Sequence, residues 1–174
     1  MPNWNAHWGC LVAEIVFRQA LRDSVDEVLE KMFFAETLGE ASGPDEAGDL
    51  RADTITVELT FEGEPSGSMC LRLTADSARE VAADFLGMEG AETSSDQISE
   101  VVRELANMIC GSVLSRVESA ATFRLGVPRI VPCCEQCAEG PWNTCYRVQL
   151  SHGRLTVNIG TGPTKCPQPV QSAY

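Results

Sequence analysis

Residues 95–119 read Ser95-Asp-Gln-Ile-Ser-Glu-Val-Val-Arg-Glu-Leu-Ala-Asn-Met-Ile-Cys-Gly-Ser-Val-Leu-Ser-Arg-Val-Glu-Ser119, and their periodicity decides the architecture. With Ile98 set at zero and about 100° per residue, Val101, Val102, Leu105, Ile109 and Val113 fall within about 60° of it. Such a stripe is the core-facing side of a long amphipathic helix. Glu100, Glu104, Asn107 and Gly111 gather on the far side, between about 180° and 240°. A polar outer face is ordinary, but two residues set this one apart. Asn is a mediocre helix former that competes for backbone hydrogen bonds, and Gly costs about 1 kcal/mol relative to Ala inside a helix. Ala or Lys would serve a purely solvated face better. A glycine one turn after Asn107 also lets another surface come close to that amide.

Upstream of this helix, Ile55, Val57, Leu59 and Phe61 alternate with polar residues, which predicts a strand over 54–61 with one buried face. Residues 62–67 turn the chain, and Met69, Leu71 and Leu73 alternate in an antiparallel partner. Ser77 and Glu80 have capping-box spacing and predict the start of a helix with Val81, Ala82, Phe85 and Leu86 on one side, ended by Gly87. Ser94 and Ser95 are the candidate N-caps of the long helix. Downstream, Thr122 to Val131 is a β-rich run with Pro128 inside it, which places it at an edge or a bulge. Tyr146, Val148 and Leu150, the turn Ser151-His-Gly153, and Leu155, Val157 and Ile159 form a second hairpin.

At the amino-terminal end, Val25, Val28, Leu29, Met32 and Phe33 make a helical stripe from Ser24 to about Leu38. Residues 10–21 either extend that helix or form a separate element. Gly39 to Ala52, rich in Gly, Asp and Glu, reads as a loop. The segment 161–174 has three prolines and no period, and reads as an irregular tail. The order of elements predicts an α+β domain, with helices packed on a mainly antiparallel sheet. Residues 1–20 are set apart as an amino-terminal extension, 21–160 as the domain and 161–174 as the tail.

The 174 residues are 44% hydrophobic, enough for one domain with a real core. A net charge of −12 argues against nucleic acid or an anionic membrane surface, both of which need a basic footprint. Residues 1–119 hold 23 acids against 8 bases, and 120–174 hold 2 acids against 5 bases, so a partner with a basic rim fits the first two thirds. No segment approaches the roughly 18 consecutive apolar residues of a membrane span, and the first residues lack the charged and apolar regions of a secretory signal. The expectation is a cytoplasmic protein without membrane insertion.

Of eight cysteines, Cys70 and Cys110 read as small core residues. Cys133, Cys134, Cys137 and Cys145 form a separate group. Cys134-Glu-Gln-Cys137 has the gap of a metal knuckle, yet the chain offers neither a second knuckle nor a histidine pair, only His7 and His152. These four are the candidate ligands should a metal bind. Reactive thiols and incidental loop cysteines stand beside that reading, and the expectation is no metal.

The chain resembles the CheX-like chemotaxis phosphatases of the CheC/CheX family, relatives of the flagellar switch proteins. The resemblance runs over about residues 21–160. It is carried by Asp26-Glu-Val-Leu-Glu-Lys-Met-Phe-Phe34, Gly67-Ser-Met-Cys-Leu-Arg-Leu73, Ala82-Ala-Asp-Phe-Leu-Gly87 and above all Glu104-Leu-Ala-Asn107-Met-Ile-Cys-Gly111, in which the family's Glu-x-x-Asn falls on the long helix. The resemblance implies a hydrolase that removes the phosphoryl group from the aspartate of a CheY-like response regulator. Asn107 would orient the attacking water, as a Gln does in GTPases. Glu104 would pair with the regulator's lysine. Glu100 and Gly111 would contact the partner. Mg²⁺ would sit on the regulator, leaving this chain without a cofactor, and a homodimer through sheet edges is implied as well.

The chain departs from the family at several points. Glu100 stands where Asp or Ser is usual, and Pro128 only approximates the family's proline. The first helix offers Glu27-Val-Leu-Glu30 without an Asn, which leaves one centre per chain. Two alternatives use the same fold: a non-catalytic module that holds a regulator or a flagellar switch component, and a metal or redox sensor built on the cysteine loop 132–145.

Overall fold

A computed structural model describes residues 4–41, 54–64, 66–89, 92–117, 122–132 and 144–161, with side chains from residue 15 onward. Helix α1 (Trp4–Met32) leads into strand β1 (Thr37–Glu40). The antiparallel pair β2 (Thr54–Glu62) and β3 (Gly67–Thr74) comes next, then helices α2 (Ala75–Leu86) and α3 (Ser95–Val117). Two short strands, β4 (Arg124–Leu125) and β5 (Arg129–Val131), precede the hairpin β6 (Thr144–Leu150) and β7 (Gly153–Thr161). All the strands join one antiparallel sheet in the order β1-β6-β7-β3-β2-β4, with β5 also on β2.

Alternation gives the sheet its two faces. Val57, Leu59 and Phe61 of β2, Met69, Leu71 and Leu73 of β3, Tyr146, Val148 and Leu150 of β6, and Leu155, Val157 and Ile159 of β7 are all buried against the helices in one core. The opposite face carries polar side chains such as Thr56, Arg72, Thr156 and Asn158. Helices on one side of an antiparallel sheet make this the α+β architecture that the element order predicts.

The first helix differs from its sequence reading at both ends. Residues 10–21 run without a break into residues 22–32 as one helix, which resolves the two alternatives for that segment. The helix stops at Met32 rather than near Leu38. Phe34 takes a left-handed conformation (φ 54°), and the Ala35 amide donates to the Leu29 carbonyl at 3.0 Å, closing the helix end. The chain then reverses, and Thr37–Glu40 pairs with β6, so Leu38, Gly39 and Glu40 are strand and not helix or loop. A helical stripe is silent about such a stop, because the αL position is normally announced by a glycine.

Helix α2 also begins earlier than expected. Its N-cap is Thr74, and Ser77 lies buried in the first turn, where it receives a hydrogen bond from the Thr74 hydroxyl at 2.9 Å. Glu80 reaches His152 of the β6–β7 turn instead of a cap amide. The expected stop does occur at Gly87 (φ 64°). Phe85 and Leu86, read as part of the apolar side, are each more than a third exposed, and the Phe85 ring stacks on Phe33 at 4.7 Å.

For α3 the cap is Ser94. Its hydroxyl accepts from the Gln97 amide and the Gln97 side chain accepts from the Ser94 amide, a reciprocal capping box. The helix lies along α1. Ser112 donates to the buried Ser24 at 3.0 Å, and Arg116 meets Glu27 one turn further along both helices, so the two run parallel. Helix α1 sits over β6 and β1, and α3 over β2 and β5, which leaves the outer flank of α3 facing the β4–β5 edge of the sheet.

Candidate functional site

The apolar stripe of α3 is buried as its period demands. Ile98, Val101, Val102, Leu105, Ile109 and Val113 are all in the core, joined by Ala106, Cys110 and Leu114. Burial pushes the pKa of the Cys110 thiol up to about 12, which makes it an inert packing residue. With that side anchored, the rotation of the helix is fixed and the polar ridge must face outward. Glu100 and Glu104 are exposed, while Asn107 and Gly111 are half-buried. Among the described residues, the side chains of Glu104 and Asn107 enter no hydrogen bond or ion pair. An amide presents donors and acceptors together, and here both are open to an incoming group.

The half-burial of Asn107 and Gly111 comes from their flank. A β-carbon added at Gly111 would lie 3.9 Å from Leu125 Cδ1, so the edge strand β4 comes alongside the helix at the glycine. Leu125 pairs with Phe61 and therefore shares the helix-facing side of the sheet. Between β4 and β5 the ladder is broken at Gly126-Val-Pro128. The Gly126 amide still donates to the Thr60 carbonyl at 2.7 Å, and Pro128 is buried. The sequence announces the break through Pro128 but gives no sign that Leu125 meets Gly111, which only the tertiary arrangement brings about.

Glu27, in the first-helix segment without an asparagine, is engaged elsewhere. Lys31 donates to it at 2.7 Å and Arg116 also pairs with it. The Lys31 hydrogen bond is the leading cause that holds its carboxyl below the usual range. Glu27 thus ties α1 to α3. A second acidic group lies on α2, where a Glu80 carboxylate oxygen lies 2.7 Å from His152 Nδ1. Nearby, the pKa of Asp84 is pushed up first by burial and then by Glu80. The Glu80–His152 pairing joins the β6–β7 turn to the helix.

Cys133, Cys134 and Cys137 lie outside the described residues. Cys145 is half-buried on β6, and no cluster of three metal-ligating side chains occurs among the described residues. No described helix is long and apolar enough to cross a membrane.

A family profile described as chemotaxis phosphatase CheX matches residues 55–132, the segment from β2 through β5 that contains the whole of α3. Over that segment the chain is similar to the CheX family. No curated protein matches it by sequence. Solved structures of CheX-like proteins superpose over most of its length. The chemotaxis protein CheX from Vibrio vulnificus does so with a TM-score of 0.65 at 21% identity, over 84% of this chain and 96% of that one. A CheC-like superfamily protein from Shewanella sp. PV-4 gives 0.62 at 17% identity, over 86% and 99%. The CheX–CheY–BeF₃–Mg²⁺ complex from Borrelia burgdorferi gives 0.61 at 17% identity, over 82% and 96%. At these identities the likeness establishes a CheX-like fold, and the chemistry has to be argued from the residues of α3.

Proposed function

We propose that this CheX-like protein is a phosphatase of a CheY-like response regulator in chemotaxis or a related two-component pathway. The observation that carries the reading is the ridge of α3, where Glu104 and the half-buried Asn107 stand one turn apart with no partner of their own among the described residues. The family profile over residues 55–132 and the likeness to a CheX solved in complex with CheY support the choice of partner.

In this reading Asn107 accepts a hydrogen bond from a water through its carbonyl and uses its amide to hold the water or a phosphoryl oxygen, placing the water in line with the phosphorus–oxygen bond to be broken. Glu104 reaches the lysine of the regulator, fixing the register of the two proteins and drawing that charge into place. The oxygen of the water forms the new bond to phosphorus, and the aspartate carboxylate of the regulator leaves. Mg²⁺ belongs to the regulator, where it neutralises charge on the phosphoryl oxygens. No nucleophile of this chain is needed. Glu100 and Gly111 extend the contact along the ridge, one by charge and the other by letting the regulator's backbone come close.

Decay of a phosphorylated CheY-like regulator tests this directly. The wild-type protein should accelerate it, and Asn107→Ala should lower the rate by about 100-fold or more, since loss of orientation alone has that effect. Unchanged decay despite measurable binding would make the protein a binding module instead.

The homodimer is a proposal of the same kind. Strand β1 ends the sheet on one side and bears an exposed Leu38, so its outer edge is the surface we assign to a second copy. Sedimentation of wild type and Leu38→Glu should give a dimer and a monomer. A monomeric wild type would remove the idea.

A further inference from the structure

We infer that the partner-docking surface does not end with helix α3 but continues onto the bulged edge of the sheet, where Leu125, Val127 and Ile130 form an apolar shoulder for the same response regulator. This rests on the phosphatase reading of the ridge and deepens it.

Continuity is the first argument. Leu125 comes within van der Waals reach of where a β-carbon on Gly111 would lie, so no gap separates the ridge from the edge strand. Ile130 pairs with Val57 and, like Leu125 opposite Phe61, belongs to the helix-facing side of the sheet. Both lie along the flank of α3 toward which Asn107 and Gly111 turn. Val127, between them, is 78% exposed, the largest exposure of any large apolar side chain among the described residues, and Ile130 is more than a third exposed.

Rigidity is the second. Val127 is held on both sides. Gly126 is bound to Thr60 through its backbone, with so little room that an added β-carbon would meet the Thr60 hydroxyl at 2.6 Å, and Pro128 is buried. A side chain presented on a fixed bulge loses little freedom when it is covered.

The third argument selects the occupant. A second copy would use this edge by adding a strand, but here the ladder is interrupted at residues 126–128 and Pro128 has no amide hydrogen to donate. What the edge offers instead is side chains next to charged groups. The apolar residues are interleaved with exposed Arg124 and Arg129, directly before Leu125 and Ile130, which gives the edge the composition of a protein-docking patch with a polar rim. The regulator brought to Asn107 is the body that would cover it.

The test is the affinity and turnover of full-length Val127→Asp and Ile130→Asp with a CheY-like regulator. Binding is measured to its beryllium fluoride form and turnover with its phosphorylated form. Both substitutions are at exposed positions, and unfolding curves verify that the fold is kept. The inference expects binding weakened about tenfold or more, KM raised to match, and kcat within about twofold of wild type. Wild-type affinity for both variants, with Asn107→Ala still inactive, would overturn the shoulder and leave the phosphatase reading standing. A wild-type protein that binds without accelerating decay would overturn the phosphatase reading, and the shoulder is then decided by the binding ratios alone. A change of oligomeric state in Val127→Asp, with no change in regulator affinity, would assign the edge to contacts between copies and overturn the inference.

Discussion

Asn107 is half-buried on an otherwise well-packed helix, and its side chain makes no hydrogen bond among the described residues, a poor arrangement for stability and a good one for receiving a water. Replacing it by Ala removes no hydrogen bond among the described residues and improves helix propensity by several tenths of a kcal/mol. Asn107→Ala should therefore melt at or slightly above the wild-type temperature while losing its phosphatase rate. An unfolded variant would show that the residue is part of the core. Gly111 makes a sharper case, because stability and function should part in opposite directions there. Among the described residues a methyl group at this position meets Leu125 Cδ1 at an ordinary contact distance, so Gly111→Ala should stabilise the helix by about 1 kcal/mol in urea unfolding. If the regulator's backbone packs against the glycine, the same change weakens binding. The buried thiols give a third expectation. Cys70 and Cys110 should resist a thiol reagent at pH 8 in the folded protein, while the half-buried Cys145 reacts sooner.

At the scale of elements, the α1 terminus carries an unusual cost. Phe34 occupies the left-handed position that favours glycine, yet its side chain is largely exposed and contributes little burial in return. Phe34→Gly should raise stability by about 1 kcal/mol, partly offset by the freedom glycine gains in the unfolded chain. A loss of stability would mean that the ring packs in a way its exposure does not suggest. The same helix end marks where sequence reading fell short. Periodicity gave the existence and type of α1, α2 and α3 and the core face of α3, but Met32 of the α1 stripe and Phe85 and Leu86 of the α2 stripe are exposed. It placed two of the ends wrongly because Phe34 stops α1 without a glycine, and because Thr74 starts α2 ahead of a serine with capping-box spacing that is in fact buried. The β2–β3 and β6–β7 hairpins were legible from alternation. Strand β1 was not, since four mostly exposed residues with a glycine among them have no pattern of their own and become a strand only by pairing with β6. The ridge of α3 could be read because the opposite stripe fixes its direction, whereas its neighbour on the sheet edge, Leu125, depends on how that edge folds back.

For the whole molecule, one apolar core between the helix layer and the sheet carries the stability. Leu71 is fully buried on β3, and Leu71→Ala should cost about 2–5 kcal/mol in urea unfolding, a large part of the total for a domain of this size. The order of strands adds something the contacts alone do not express. The last described strand, β7, lies inside the sheet between β6 and β3, and β1 finds its partner only when β6 exists. Helix α3 is synthesised well before β6 and β7, so on the ribosome the glutamate and asparagine come into being while the sheet beyond β3 is still missing. Long-range pairing of this kind slows folding, and domains that wait for a late central strand expose apolar surface meanwhile. A nascent chain stopped before residue 153 would hold every residue of the ridge and the strands beneath it, but not the central strand that joins the two halves of the sheet. Competence would then arrive late and all at once, as the final strand slides into its slot.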